Sequence, residues 1–85
     1  MGFYIGFVTN KRLLAKEGSF YQVVDWGQSI LEDNPVIKIA RLRPDGPSCK
    51  VIADLTREGI TYARTPRSIS RAGAKKLCRS AKINQ

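Results

Sequence analysis

Two residue patterns run side by side between Arg71 and Lys82, and together they leave little choice but an amphipathic helix. Ala74, Leu77, Cys78 and Ala81 recur at i, i+3, i+4 and i+7, which makes one apolar stripe. Arg71, Lys75, Arg79 and Lys82 recur at i, i+4, i+8 and i+11, a second stripe beside the first, and Lys76 lies further round. Ser70 is a good N-cap, because its hydroxyl can accept from a free backbone N–H of the first turn. Such a helix packs one face on a sheet and presents a row of cations with the next.

The sheet is predicted from the residues ahead of it. Val36–Arg43 is β-branched and strand-like, and Pro44-Asp45-Gly46-Pro47 is turn chemistry. Lys50–Leu55 is a second strand, with Val51, Ala53 and Leu55 expected on one face. Arg57-Glu58-Gly59 is a tight turn, Ile60–Arg64 a third strand, and Pro66 its expected stop.

The first half is less decided. Phe3–Val8 is aromatic and β-branched and reads as a buried strand. Asn10–Glu17, followed by Gly18, fits either a short helix or the turn of a hairpin with Lys11-Arg12 at its tip. Phe20–Val24 reads as another strand. Asp25 with Gln28 has the spacing of a capping box, so a helix is expected from Asp25 to Asn34-Pro35, with Trp26 and Ile30 on one face. The predicted order is β-(α)-β-α-β-β-β-α. The expected fold is therefore α+β: one small domain over residues 1–85, with an antiparallel sheet of three to five strands and the basic C-terminal helix packed on it.

The charge is divided as unevenly as the pattern. Of 15 basic and 7 acidic residues, net +8, the stretch 1–37 holds three basic and four acidic, and 38–85 holds twelve and three. After Glu58 come seven cations and no acid. A face kept only for solubility carries both signs, so a polyanionic partner is expected. Side chains four apart on a helix stand about 5–6 Å from each other and, when alike in charge, repel. A bound polyanion relieves that cost. Arg64 and Arg67 can extend the row upstream, and Lys38, Arg41 and Arg43 can add to it from a neighbouring strand, although they do not all share a face.

Other chemistries find little support. With no histidine, the commonest general base and metal ligand are both missing. Cys49 and Cys78 do not form a Cys-x-x-Cys pair or a structural zinc site, and both are expected reduced, in a cytosolic setting. Asp45, Asp54 and Glu58 are too scattered for a two-metal site. No phosphate-binding Gly-x-x-x-x-Gly-Lys loop is present. No enzyme, cofactor or metal is expected. The apolar start is too short to span a membrane, and the apolar side of the last helix is too small to anchor on one. The early aromatics Phe3, Tyr4, Phe7, Phe20, Tyr21 and Trp26 lie away from the charge and are expected in the core; only Tyr62 sits among the arginines.

Three strands followed by a helix opening Ser70-Arg71-x-x-Ala74-Lys75, with Gly46-Pro47 in the preceding loop, faintly resemble the second half of double-stranded-RNA-binding domains. That resemblance covers about half the chain and implies phosphate contacts from Arg71 and Lys75; Ala72 departs from the lysine usual at its position. The β-β-β-α order also looks like the arm-binding domain of phage-type integrases. Neither resemblance assigns a family. The expected function is nucleic-acid binding, DNA or RNA, mainly to the phosphate backbone, through Arg64, Arg67, Arg71, Lys75, Lys76, Arg79 and Lys82 with Arg41 and Arg43. The alternative is a small protein–protein inhibitor or adaptor of phage or mobile-element type, similar in kind to anti-CRISPR proteins, that docks on an acidic protein surface. A third expectation is an RNA- or ribosome-associated structural protein.

Overall fold

In a computed structural model, residues 4–9, 12–43 and 48–83 are described, Ile83 by its backbone only. The elements are β1 (Tyr4–Val8), β2 (Leu14–Gly18), α1 (Phe20–Ile30), β3 (Ile37–Leu42), β4 (Cys49–Thr56), β5 (Gly59–Ile69) and α2 (Arg71–Ile83). The five strands form one sheet in the order β2-β1-β3-β4-β5, with every neighbouring pair antiparallel. β2 and β3 both run against β1 and so are parallel to each other; α1 carries the chain over β1 between them. The α+β expectation holds, with five strands. The Phe3 part of the first strand, the Asn10-Lys11 loop tip and the Pro44–Pro47 turn fall outside the described residues.

Side-chain alternation along the strands gives the sheet two buried faces. On one, Ile5, Phe7, Ala15, Ala40 and Cys49 pack with Ala74, Leu77 and Ala81 of α2. On the other, Val8, Ile37, Ile39, Ala53 and Leu55 pack with Val23, and Phe20, Trp26 and Ile30 of α1 close over them. The helices therefore lie on opposite faces. Gly6 lets α1 approach β1, since a Cβ there would stand 2.7 Å from Val23 Cγ1 and 3.1 Å from Trp26. Each buried Ile, Val or Leu contributes about 1.5–3 kcal/mol relative to exposure.

Five expectations change. Phe20–Val24 is the opening of α1 and not a strand. The capping box is Ser19 with Gln22, six residues before the Asp25–Gln28 pair: Ser19 Oγ accepts from Gln22 N–H at 3.2 Å, and Ser19 N–H donates to Gln22 Oε1 at 2.9 Å. Those two bonds satisfy free donors at the helix start, and tertiary burial of Val23 overrides the modest strand preference of the valines. Between the two readings of 10–18, the hairpin is the one formed, and Gly18 closes β2 instead of stopping a helix.

Pro66 does not end β5. The strand continues to Ile69 because it is the sheet's outer edge, where a missing N–H breaks no ladder bond. Val51 does not share a face with Ala53 and Leu55. A register shift between Val51 and Ala53 puts Val51 against the α2 core and the other two against α1. The early aromatics divide as well. Phe7 is buried, and Tyr4, Phe20 and Trp26 are half-buried, Tyr4 meeting Phe20 edge-on at 5.3 Å. Tyr21, expected in the core, is 82% exposed, because its place on α1 turns away from the sheet.

Candidate nucleic-acid interface

α2 is built as its sequence predicts. Ser70 Oγ accepts from Gly73 N–H at 3.1 Å, and the first helical backbone bond runs from Ala74 N–H to Ser70 O at 2.9 Å. Ala74, Leu77 and Ala81 are buried and Cys78 is half-buried, so the apolar stripe faces the sheet. Near the far end of the helix, Ser80 Oγ donates to Leu13 O at 3.3 Å and ties α2 to the start of β2.

Arg71, Lys75, Arg79 and Lys82 are all exposed, as is Lys76. Cys78 separates the two stripes and locates the cationic flank. Burial pushes its thiol pKa up, Glu17 on β2 adds to the rise, and Lys82 opposes it. Burial likewise raises the Cys49 thiol, with Cys78 adding to it. Cys78 is thus close to Cys49, the first residue of β4, and to Glu17, near the last of β2. Glu17 is half-buried. Among the described residues no metal-binding cluster of His, Cys, Asp or Glu occurs. Neither thiol is in a disulfide.

The remaining expected residues do not all join this row. Arg67 is exposed on β5 opposite Val51, which places it on the α2 side of the sheet. Arg64 is exposed on the same edge strand, within the segment 63–66 where the pairing with β4 is interrupted. Lys38 is on the α2 side but is engaged with Asp54, Nζ to Oδ1 3.7 Å, the one ion pair among the described residues. Both partners are about half exposed, so this pair adds little stability.

Arg41 lies apart from the row. It pairs with Tyr4 on one side and Lys50 on the other, and Tyr4 belongs to the core beneath α1. Arg41 therefore stands on the face opposite α2 and cannot extend the helical row. Strand parity decides this: Leu42, its neighbour, takes the α2 face. Arg43, just past β3, lines with Arg41, Lys50, Ile52 and Pro66 an open depression of about 420 Å³. Lys50 was not among the expected site residues. Its signal, a lone cation at the start of a strand, has no meaning until the register sets it directly across from Arg41.

Comparison of the chain with protein-family models, with curated proteins and with solved structures finds no match.

Proposed function

We propose that the chain is a nucleic-acid-binding protein that grips the phosphate backbone with the exposed flank of α2. The observation that carries this reading is the row Arg71, Lys75, Arg79 and Lys82, solvent-exposed on one side of a helix whose other side is held in the core, with no ion pair to any of the four among the described residues. Cations repeated at this spacing match a polymer of regularly spaced anions better than a compact ligand. Arg67, on the α2 side of β5, adds to the positive surface. Two free thiols fit a reducing, cytosolic setting.

The double substitution Arg71→Glu with Lys75→Glu tests it. Both side chains are exposed, so the melting temperature is expected to stay close to that of the native chain. Duplex affinity is expected to fall roughly tenfold or more, and the salt dependence to lose about 2 units of log–log slope as two phosphate contacts disappear. Unchanged duplex affinity in the folded variant rejects the reading.

One observation favours the protein-partner alternative. On the other flank of α2, Phe7, Leu13, Ile69 and Leu77 line an apolar depression of about 430 Å³ edged by Arg12 and Lys76. An acidic protein segment with an apolar anchor would suit it. That reading expects a nuclease-treated pull-down to recover one protein partner and Lys76→Glu to lose it. The nucleic-acid reading expects nuclease treatment to empty the bait.

A further inference from the structure

α1 covers only part of its face of the sheet, and the rest brings together cations and an exposed aromatic ring. Val23 and Trp26 meet Gly6 on β1, while Gly27 meets Ile37 and Leu55 on β3 and β4. Rotation around α1 at about 100° per residue thus passes from β1 towards β4. In the same sense it continues to Val24, on the flank nearest the open strands, while Tyr21, about 60° further round, turns away from the sheet. Tyr21 is in the first turn, at the end of the sheet where Phe20 touches Tyr4 and where Tyr4 pairs with Arg41.

The floor of this open half is set by register. Arg41 and Lys50 are direct cross-strand neighbours, and Ser68 follows on β5. Like charges opposite each other on antiparallel strands destabilise the sheet, and among the described residues of β3, β4 and β5 no carboxylate shares this face with them. Asp54 and its partner Thr61 belong to the other face, and Glu58 is at the far turn. Asp25 is one helical turn beyond Tyr21 and points about 40° further outward. Tyr62 pairs with Ala53, a member of the α1-side core, so its ring rises from the same face, 63% exposed. Two residues, with the register shift among them, separate Lys50 from Ala53, so Tyr62 stands further along the same face than the cations.

An exposed aromatic ring beside unpaired cations on an open sheet is a combination that holds single-stranded nucleic acid: the ring stacks a base, and the cations hold the backbone. A duplex keeps its bases stacked inside and offers nothing to the ring. We infer that the open face of β3–β5 is a second site, specific for single-stranded nucleic acid, with Tyr62 as the stacking platform and Arg41, Lys50 and Arg43 on the phosphates. The class of partner rests on the function proposed above, but the site does not use α2, so the two can fail separately.

The test measures anisotropy of labelled oligothymidylate and oligouridylate of about twelve nucleotides, and of a duplex of equal length, with variants whose folding is checked by circular dichroism. Tyr62→Ala is expected to weaken single-strand binding roughly fivefold or more and to leave duplex binding unchanged. Tyr62→Phe keeps the ring and is expected to bind as the native chain does. Arg41→Ala with Lys50→Ala is expected to lower the single-strand salt slope by about 1.4 units. The DNA and RNA arms decide which sugar the site prefers. The proposal is overturned if the native chain does not bind single strands, if Tyr62→Ala binds them undiminished, or if the α2 double variant abolishes single-strand binding while the sheet-face variants do not. Loss of duplex binding in the α2 variant alone, with the Tyr62 effect intact, supports both sites as separate.

Discussion

Replacing Ile5 by alanine is expected to lower the stability of the protein by about 2–5 kcal/mol, towards the upper end of that range. The reason is the make-up of the core beneath α2. Four of its eight buried residues are alanines: Ala15, Ala40, Ala74 and Ala81. Among the buried residues Ile5, Phe7 and Leu77 supply most of the bulk, with Leu13, Leu42, Val51 and Ile69 half-buried around them, and Ile5 is fully buried on β1, between β2 and β3. Alanines cannot extend into a void, so the cavity left by the lost atoms would persist instead of collapsing. A domain of this length has roughly 4–13 kcal/mol in all, so the variant would approach the threshold for folding at ordinary temperature. Urea denaturation checks this: the midpoint should fall sharply with the slope unchanged. Ile5→Val, which removes one methylene, should cost about 0.5–1.5 kcal/mol. A loss below about 1 kcal/mol for the alanine variant would mean that α2 is not seated on Ile5. The result also bears on binding, because the cationic row is held in line only while the alanine stripe stays docked.

The second large effect is on duplex binding as salt is raised. Four to six phosphate contacts predict a log–log slope near −4 to −5 on B-form DNA, or roughly 250- to 1,000-fold weaker binding between 50 and 200 mM salt. The estimate follows from the exposed cations available on one side of the molecule. Arg71, Lys75, Arg79 and Lys82 lie on the α2 flank, with Lys76 further round the helix and Arg67 on the α2 side of the edge strand. Arg41 and Lys50 are excluded because they face the other way. Titration of a labelled duplex across that salt range checks the number directly. A flat dependence would remove electrostatic gripping as the mode of binding. A slope much steeper than −5 would require Arg41, Lys50 and Arg43 on the same duplex, contrary to their placement on opposite faces.

Local signals carried much of the fold. Ser70 and the alanine stripe were enough for α2, and β-branched runs interrupted by glycine turns were enough for β3 and β4. The errors share one origin. Phe20–Val24 has strand-like composition, yet the Ser19–Gln22 box and the burial of Val23 make it helix. Two capping-box spacings lie six residues apart, Ser19–Gln22 and Asp25–Gln28, and composition alone cannot rank them. Pro66 would interrupt a central strand and is harmless on an edge, and nothing in the segment itself says that β5 is an edge.

What the sequence by itself determined is the existence of the cationic row on α2 and its separation from the apolar stripe, because both follow from helical periodicity within twelve consecutive residues. What only the tertiary structure decided is which cations stand together. Arg41 and Arg43 are close to Arg71 in neither chain position nor face, and Lys50 becomes Arg41's neighbour only through the β3–β4 register. Side chains on a strand alternate with a period of two, so one bulged residue, as at Ile52, reverses the face of everything beyond it. Strand pairing is non-local, and the partition of charge between the two faces is written in that pairing and not in the order of the residues.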